Sequence, residues 1–139
     1  LCTVREVGHY SCRSMTGNCA ALQSLADEPG RVQMNPLDAQ RLGIADKQLV
    51  WVSSRRGKVI TRADLSDRIN PGAVYMTYQW WVGACNELTQ DNLDPISKTP
   101  ETKYCAVKVE AIADQQWAER YAWTAYSDMK ARLKAAADV

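Results

Sequence analysis

The stretch 47-KQLVWVSSRRGKVITRADL-65 decides the fold class, because it holds two runs rich in β-branched residues on either side of a short turn. The runs KQLVWVSS and KVITRADL are long enough for strands, and the RRG between them ends in a glycine. This spacing predicts a β-hairpin. The turn carries three positive charges in SSRRGK that could bind a phosphate, but an exposed hairpin tip is the favoured interpretation.

A short helix is predicted just before this hairpin, in NPLDAQRLGI (35–44). Asn35 can cap the helix, and Pro36 fits its first position, where no backbone N–H is needed. Asp38 lies in the first turn, at the positive end of the helix dipole. Gly43 can end the helix in a left-handed conformation.

Further strands are predicted on both sides of this centre. LCTVREVGHY predicts an early strand that ends near His9, and RVQM, INPGAVYMTY and YCAVKVEAI predict three more. MTGNCAALQSLA predicts a short helix. Residues 80–102 show no clear regular structure, and the stretch TQDNLDPISKTPETK predicts a long ordered loop. Residues 114–137 predict a terminal helix with one apolar stripe, formed by Trp117, Tyr121, Ala125, Met129 and Leu133.

These elements predict one mainly β (α+β) domain over residues 1–139, with short peripheral helices and a C-terminal helix. No alternation of strands with long helices is visible, which argues against a parallel α/β sheet. Several short strands favour a mixed or β-barrel-like architecture instead.

Composition excludes several classes of protein. The net charge of +1 gives no reason to expect binding to nucleic acid or insertion into a membrane, and no apolar run is long enough to span a bilayer. The five cysteines are odd in number and lack C-x-x-C spacing, which indicates reduced thiols in a cytoplasmic protein. The chain begins at Leu1 without a leader, as expected of an excised domain or a processed fragment.

The single histidine, His9, lies three residues before Cys12. A nucleophilic Cys–His pair needs contact and a third, orienting group, and neither is indicated here. A zinc site is weaker still, because the remaining cysteines are scattered. A satisfied, half-buried histidine is the favoured reading from the residues alone. A lysine before a strand, Lys103, could combine with Arg5 and His9 into a cationic rim suited to a diphosphate.

Two adjacent tryptophans in TYQWWVGACNELT are an unusual concentration of aromatic surface. Neighbouring residues on a strand point to opposite faces, so both side chains cannot enter the same core. We therefore expect one to be buried, and the other to contact a ligand or another domain.

Several stretches, in order, resemble one family of cofactor-binding domains. TVREVGHYSCRSMT, VQMNPLDAQRLGI, VSSRRGKV, NPGAVYMTYQWW with NELT, and LDPISKTPETKYCAVKVE are similar to segments of the C-terminal molybdopterin-dinucleotide-binding domain of the dimethyl-sulfoxide-reductase superfamily. Within it, the chain looks most like the selenocysteine-type formate dehydrogenases linked to formate hydrogenlyase.

The resemblance implies a fold, a cofactor and a site. The fold would be a six-stranded double-psi β-barrel with added helices. The cofactor would be bis(molybdopterin guanine dinucleotide) with molybdenum or tungsten. Transferred position by position, the residues that contact it would be Arg5, His9, Cys12, Tyr78, Thr102 and Lys103.

The resemblance also implies that the reaction is shared with other parts of a larger enzyme. The metal ligand, the catalytic residues and the iron–sulfur cysteines would lie in other domains, so this chain would hold no catalytic or metal-ligating residue and would be inactive alone. Its partners would be those domains and electron-transfer or hydrogenase subunits. The alternative is a stand-alone double-psi barrel that acts as a separate subunit or interaction module of a related molybdenum or tungsten enzyme.

Overall fold

The computed structural model describes residues 1–26 and 28–137. The strands are β1 (Cys2–Val4), β2 (Arg31–Met34), β3 (Leu49–Ser53), β4 (Lys58–Leu65), β5 (Val74–Thr77) and β6 (Lys108–Ala111). The α-helices are α1 (Ala20–Gln23), α2 (Pro36–Leu42) and α3 (Gln115–Ala137), and short 3-10 turns lie at Thr16–Asn18 and Cys85–Glu87.

The strands form one mixed sheet in the order β1-β5-β2-β4-β3-β6. β1 pairs with β5 and β2 with β4 in parallel, while the pairs β2–β5, β3–β4 and β3–β6 are antiparallel. The predicted mainly β (α+β) class is therefore confirmed at the level of a mixed six-stranded sheet with peripheral helices.

The segment from 103 to 111 contacts two strands that lie far apart in the sheet, β1 at one edge and β3 near the other edge. The Thr3 N–H donates to the Lys103 carbonyl at 2.9 Å, and the Cys105 N–H donates to the Leu1 carbonyl at 3.0 Å. The same segment then continues into β6, which pairs with β3. Its beginning is thus held by β1 and its end by β3.

The predicted helix at residues 35–44 and the predicted β-hairpin are confirmed. Oδ1 of Asn35 accepts a hydrogen bond from the Leu37 N–H at 2.8 Å, Pro36 opens α2, and Gly43 ends it at φ 67°. The hairpin pairs β3 and β4 in a register that places Ser53 opposite Lys58. A capping amide and a glycine that tolerates positive φ specify these boundaries without tertiary help.

The predicted first strand is wrong beyond Val4. The chain leaves the sheet there and enters a loop in which Gly8, Ser11 and Arg13 all have positive φ, at 100°, 42° and 63°. Positive φ is incompatible with an extended strand, so β1 cannot reach His9. At the other end, β6 begins at Lys108, because the residues before it hydrogen-bond with β1 instead of extending the β3–β6 pairing.

The prediction for the face of α3 is wrong, because the apolar stripe is not the row that the helix buries against the sheet. Ala118 and Ala122 are buried against Leu49 and Ile60, whereas the predicted stripe is largely exposed. Its large exposed members, with their exposed fractions, are Trp117 (40%), Tyr121 (45%) and Leu133 (53%). Alanines let the helix backbone approach the sheet closely, which larger side chains in the same row would prevent.

Two hydrophobic clusters fill the interior. The larger is formed mainly by side chains of the sheet and includes Val32, Met34, Val50, Val52 and Met76. The smaller lies between the sheet and α3. All five cysteines are free thiols, and Cys85 and Cys105 are buried in the larger cluster. Burial, reinforced by Cys105, raises the pKa of the Cys85 thiol to about 12, so that it stays neutral.

Within residues 1–26 and 28–137, no helix combines the length and the apolar character needed to cross a bilayer.

Candidate functional site

The parallel pairing of β1 with β5 places the candidate site. Parallel strands end at the same edge of a sheet, and Val4 is opposite Thr77, so Arg5 and Tyr78 follow side by side. Nε of Arg5 donates a hydrogen bond to the Tyr78 hydroxyl, and its guanidinium carbon lies 5.9 Å from the centroid of the Tyr78 ring. Tyr78 therefore orients the Arg5 guanidinium at the end of the two strands.

Thr102 and Lys103 lie on the other side of β1. The Thr3 hydroxyl donates to the Thr102 carbonyl at 2.8 Å, and the Thr3 N–H donates to the Lys103 carbonyl. The structure thus brings four of the six predicted site residues to the region around the end of β1. In the described part of the chain, neither Arg5 nor Lys103 forms an ion pair, which leaves two positive charges for an anionic ligand.

His9 is buried at 7% exposure in the loop that follows β1. Its Nδ1 lies 3.0 Å from the Thr16 hydroxyl and its Nε2 lies 3.0 Å from the Ala26 carbonyl oxygen, while the ring meets Trp80 edge to face. Both ring nitrogens are engaged by the protein, so a ligand would reach either one only in place of these partners. Direct contact of His9 with the cofactor stays a prediction.

Cys12 lies in the same loop, and its side chain is exposed. Among the described residues its thiol makes no hydrogen bond to His9, so the two do not form a nucleophile–base pair in this structure. No group of three or more histidine, cysteine or acidic side chains capable of holding a metal is found between residues 1 and 26 or between 28 and 137. Cofactor contact by Cys12 also stays a prediction.

One residue that the sequence reasoning missed is Gln79, which is 1% exposed just after β5. Its carboxamide oxygen accepts hydrogen bonds from the Glu6 N–H at 2.5 Å and the Thr77 hydroxyl at 2.9 Å. Its carboxamide nitrogen donates to the His9 carbonyl at 2.7 Å. Gln79 therefore ties the loop that follows Arg5 to the end of β5.

A second missed feature is the buried ion pair between Arg13 and Glu28, whose side chains are 5% and 1% exposed. Nε of Arg13 donates to the Gln79 carbonyl at 2.7 Å, and the guanidinium lies 4.0 Å from the centroid of the Trp80 ring. The Glu28 carboxylate also accepts the N–H groups of Trp81 and Val82, each at 3.0 Å. The pair joins the loop after β1 to the segment after β5.

The prediction for the adjacent tryptophans is confirmed in its first part, because one is buried and the other is not, whereas contact of the second with a ligand or another domain stays a prediction. Trp80 is 1% exposed and packs under Arg13, whereas Trp81 is 46% exposed and contacts Tyr126 of α3 at 6.2 Å between ring centroids. Trp80 therefore packs against the loop that follows β1, and Trp81 connects this region to α3.

A cavity of about 300 Å³ lies next to Arg5. Two guanidiniums, Arg5 and Arg31, are among its lining residues, together with Glu6, Tyr75 and Thr77. Glu6 pairs with Arg31 at 3.6 Å, and Arg5 forms no ion pair with any residue that the structure describes. The described side chains that line the cavity therefore carry a net positive charge, which favours an anionic ligand.

Residues 1–106 match the model of the molybdopterin dinucleotide binding domain. This chain belongs to that family. The match includes β1, β5 and the segment around Thr102 and Lys103, where the candidate site lies.

Curated relatives agree with the family match. The chain is 69% identical over 137 residues, 99% of its length, to "Formate dehydrogenase H" of Escherichia coli (strain K12). It is 42% identical over 81% of its length to "F420-dependent formate dehydrogenase 2 subunit alpha" of Methanococcus maripaludis, and 35% identical over 78% to "Periplasmic nitrate reductase" of Campylobacter fetus. It spans only 19%, 16% and 12% of those three proteins.

A solved structure shows the same fold. "Acetylene Hydratase from Pelobacter acetylenicus" aligns with 81% of this chain and 18% of its own at a TM-score of 0.65, with 17% sequence identity. At that identity the likeness concerns the fold alone.

The family match supports the predicted cofactor, molybdopterin guanine dinucleotide with molybdenum or tungsten. The side chains of the site fit such a group. A guanidinium and an ammonium that have no acidic partner among the described residues, together with a phenol, are donors suited to phosphate and pterin oxygens. The resemblance inferred from the sequence is thereby confirmed.

Proposed function

We propose that residues 1–139 form the C-terminal, cofactor-binding domain of a larger formate dehydrogenase, which oxidises formate to carbon dioxide. The observation that carries the proposal is the position of Arg5 and Lys103 on either side of β1, two cations that form no ion pair within residues 1–26 and 28–137. The 69% identity to "Formate dehydrogenase H" supports formate as the substrate of the whole protein.

In this proposal the chain binds and orients the cofactor. Arg5 and Lys103 neutralise its phosphate groups, and Arg5 can do so with two parallel hydrogen bonds. Tyr78 holds the Arg5 guanidinium and offers an apolar ring face. Thr102, His9 and Cys12 complete the contact surface from the two loops beside β1.

When bound, the metal and its two pterin dithiolenes supply the redox chemistry of formate oxidation. The metal ligand, the catalytic residues and the iron–sulfur cysteines belong, in this proposal, to other domains of the same enzyme. Its further partners are electron-transfer or hydrogenase subunits, and its location is the cytoplasm. The reduced thiols of the chain are in keeping with that location.

We also propose that the sheet closes into a double-psi β-barrel. The hydrogen bonds of Cys105 to Leu1 and of Lys103 to Thr3 support closure, since the same segment continues into β6 and its pairing with β3. Closure would leave no free strand edge on either side of β1 and would hold Arg5 in a fixed direction.

The test is to replace Arg5, and separately Lys103, with alanine in the full-length enzyme. We expect each change to weaken cofactor binding by about 10- to 100-fold, because a hydrogen bond to a charged group is lost. The guanine nucleotide and metal content of the purified protein should fall together with formate-oxidising activity, while the melting temperature stays close to that of the wild type.

The matched controls are Arg55→Ala at the hairpin tip and Lys134→Ala in the last turn of α3, both exposed cations away from β1. They should leave cofactor content unchanged. If Arg5→Ala and Lys103→Ala also leave it unchanged, this cationic rim is only solvated surface and the proposed binding mode is wrong.

A further inference from the structure

We infer that Gln79 is a positioning residue for the cofactor site, which sets the direction of Arg5 through the loop of residues 6–13 without touching the ligand. The inference rests on the proposed function, since it concerns how the same site is held. It assigns a role to a residue that lies outside the predicted contact set.

The loop needs an external support. It follows β1 and contains three residues of positive φ, Gly8, Ser11 and Arg13, so it belongs to neither a helix nor a strand. Its backbone polar groups cannot be satisfied by regular pairing and must find other partners. Ser11 and Arg13 are non-glycine residues in the left-handed region, a conformation that persists only where surrounding contacts impose it.

Gln79 supplies three of those contacts. Its carboxamide binds the Glu6 N–H and the His9 carbonyl, and its backbone carbonyl accepts from Nε of Arg13. One residue thus holds the loop at its beginning, its middle and its end. Because Gln79 is 1% exposed, these hydrogen bonds are not exchanged with solvent.

The consequence for Arg5 follows from its two chain neighbours. Val4 is fixed by the pairing of β1 with β5, and Glu6 is fixed by Gln79. Arg5 lies between them, and its side chain binds the residue that precedes Gln79, Tyr78. Tyr78 therefore binds the side chain of Arg5, and Gln79 binds the backbone of Glu6, the next residue.

The orientation of the carboxamide is itself set by Thr77. The Thr77 hydroxyl donates to Oε1 of Gln79 and accepts from the Gln79 backbone N–H at 3.1 Å. This directs the carboxamide nitrogen towards the His9 carbonyl. Replacing the carboxamide with a carboxylate would keep the acceptor for Glu6 and remove the donor to His9.

Gln79→Glu in the full-length enzyme is therefore the informative variant. We expect the dinucleotide to dissociate about tenfold faster from the folded holoenzyme, since one buried hydrogen bond that positions the loop is lost and a carboxylate faces a carbonyl. Thr77→Val removes only the orienting hydroxyl, and it should accelerate dissociation by about threefold. It serves as the second variant if Gln79→Glu does not fold.

Asn35→Asp is the matched control. Asn35 is also a buried amide that accepts one backbone N–H, from Leu37, and donates to one carbonyl, that of Ile69, but it lies in the cap of α2. The control should lower the melting temperature to a similar extent and leave the dissociation rate within about twofold of the wild type. A merely structural role for Gln79 would give equal dissociation rates in Asn35→Asp and Gln79→Glu, and that result would overturn the inference.

A double-mutant cycle with Arg5→Ala separates this inference from the proposed function. If Gln79 acts through Arg5, Gln79→Glu has no further effect on dissociation in the Arg5→Ala background. Full additivity of the two changes would contradict the positioning role while leaving the proposed function intact. If neither Arg5→Ala nor Lys103→Ala changes cofactor retention, the proposed binding mode itself fails.

Discussion

Replacing Glu28 with alanine is expected to destabilise the domain by about 3–5 kcal/mol, because it removes a buried carboxylate that pairs with the Arg13 guanidinium. The change also removes the acceptor for the N–H groups of Trp81 and Val82. Burial raises the pKa of the Glu28 carboxyl, and the Trp81 N–H and the Arg13 charge lower it in part. The measurement is urea unfolding of the wild type and the variant, followed by tryptophan fluorescence.

The control is Glu119→Ala, which breaks a more exposed Arg–Glu pair that is held by two hydrogen bonds. Oε1 and Oε2 of Glu119 accept from Arg62 at 2.9 and 3.1 Å, but the side chains are 41% and 26% exposed. An exposed pair contributes less than about 1 kcal/mol. Equal losses of stability in the two variants would contradict the assignment of a special role to the buried pair.

Gly83→Ala is expected to cost about 2–4 kcal/mol, because strain and overpacking act together. Gly83 has a φ of 82°, and a Cβ atom there would lie 2.8 Å from the Ile60 carbonyl oxygen and 3.1 Å from Cβ of Thr61. Neither neighbour can withdraw easily, because both belong to β4 in the middle of the sheet. Thermal unfolding, followed by circular dichroism, measures the effect.

Gly72→Ala isolates the contribution of the backbone. Gly72 has nearly the same φ, 79°, but a Cβ atom there would have no atom within 4 Å. Its substitution should cost only about 1 kcal/mol. A Gly83→Ala variant no less stable than Gly72→Ala would show that the segment after Trp80 does not pack against β4 as described.

The parts of the fold that local sequence could predict are those whose signals lie within a few residues. Asn35, Pro36 and Gly43 specify the beginning and end of α2 by themselves, and the hairpin depends on two runs and the turn between them. The face of α3 could not be read in this way. Its sequence offers two apolar rows, and only the packing against β3 and β4 selects the row of small residues, Ala118 and Ala122.

The candidate site likewise contains residues that the sequence indicated and residues that it did not. Arg5, Tyr78, Thr102 and Lys103 were found through a resemblance, and the pairing of β1 with β5 then brought the first two together. Gln79 gave no periodic or motif signal, although a carboxamide that follows a buried strand and precedes two tryptophans must find buried partners. Gln79 binds the His9 carbonyl and Glu28 binds the Val82 N–H, and because these partners are distant in the chain, no local pattern could name them.

The most direct test of the central claim is amide hydrogen exchange in the full-length enzyme with and without its cofactor. We predict that the cofactor slows exchange in residues 4–9, 77–80 and 101–104, which surround the end of β1, and that the hairpin tip at residues 53–58 is unchanged. Protection of the hairpin tip, with no protection around β1, would contradict the claim that Arg5, Tyr78 and Lys103 lie at the cofactor.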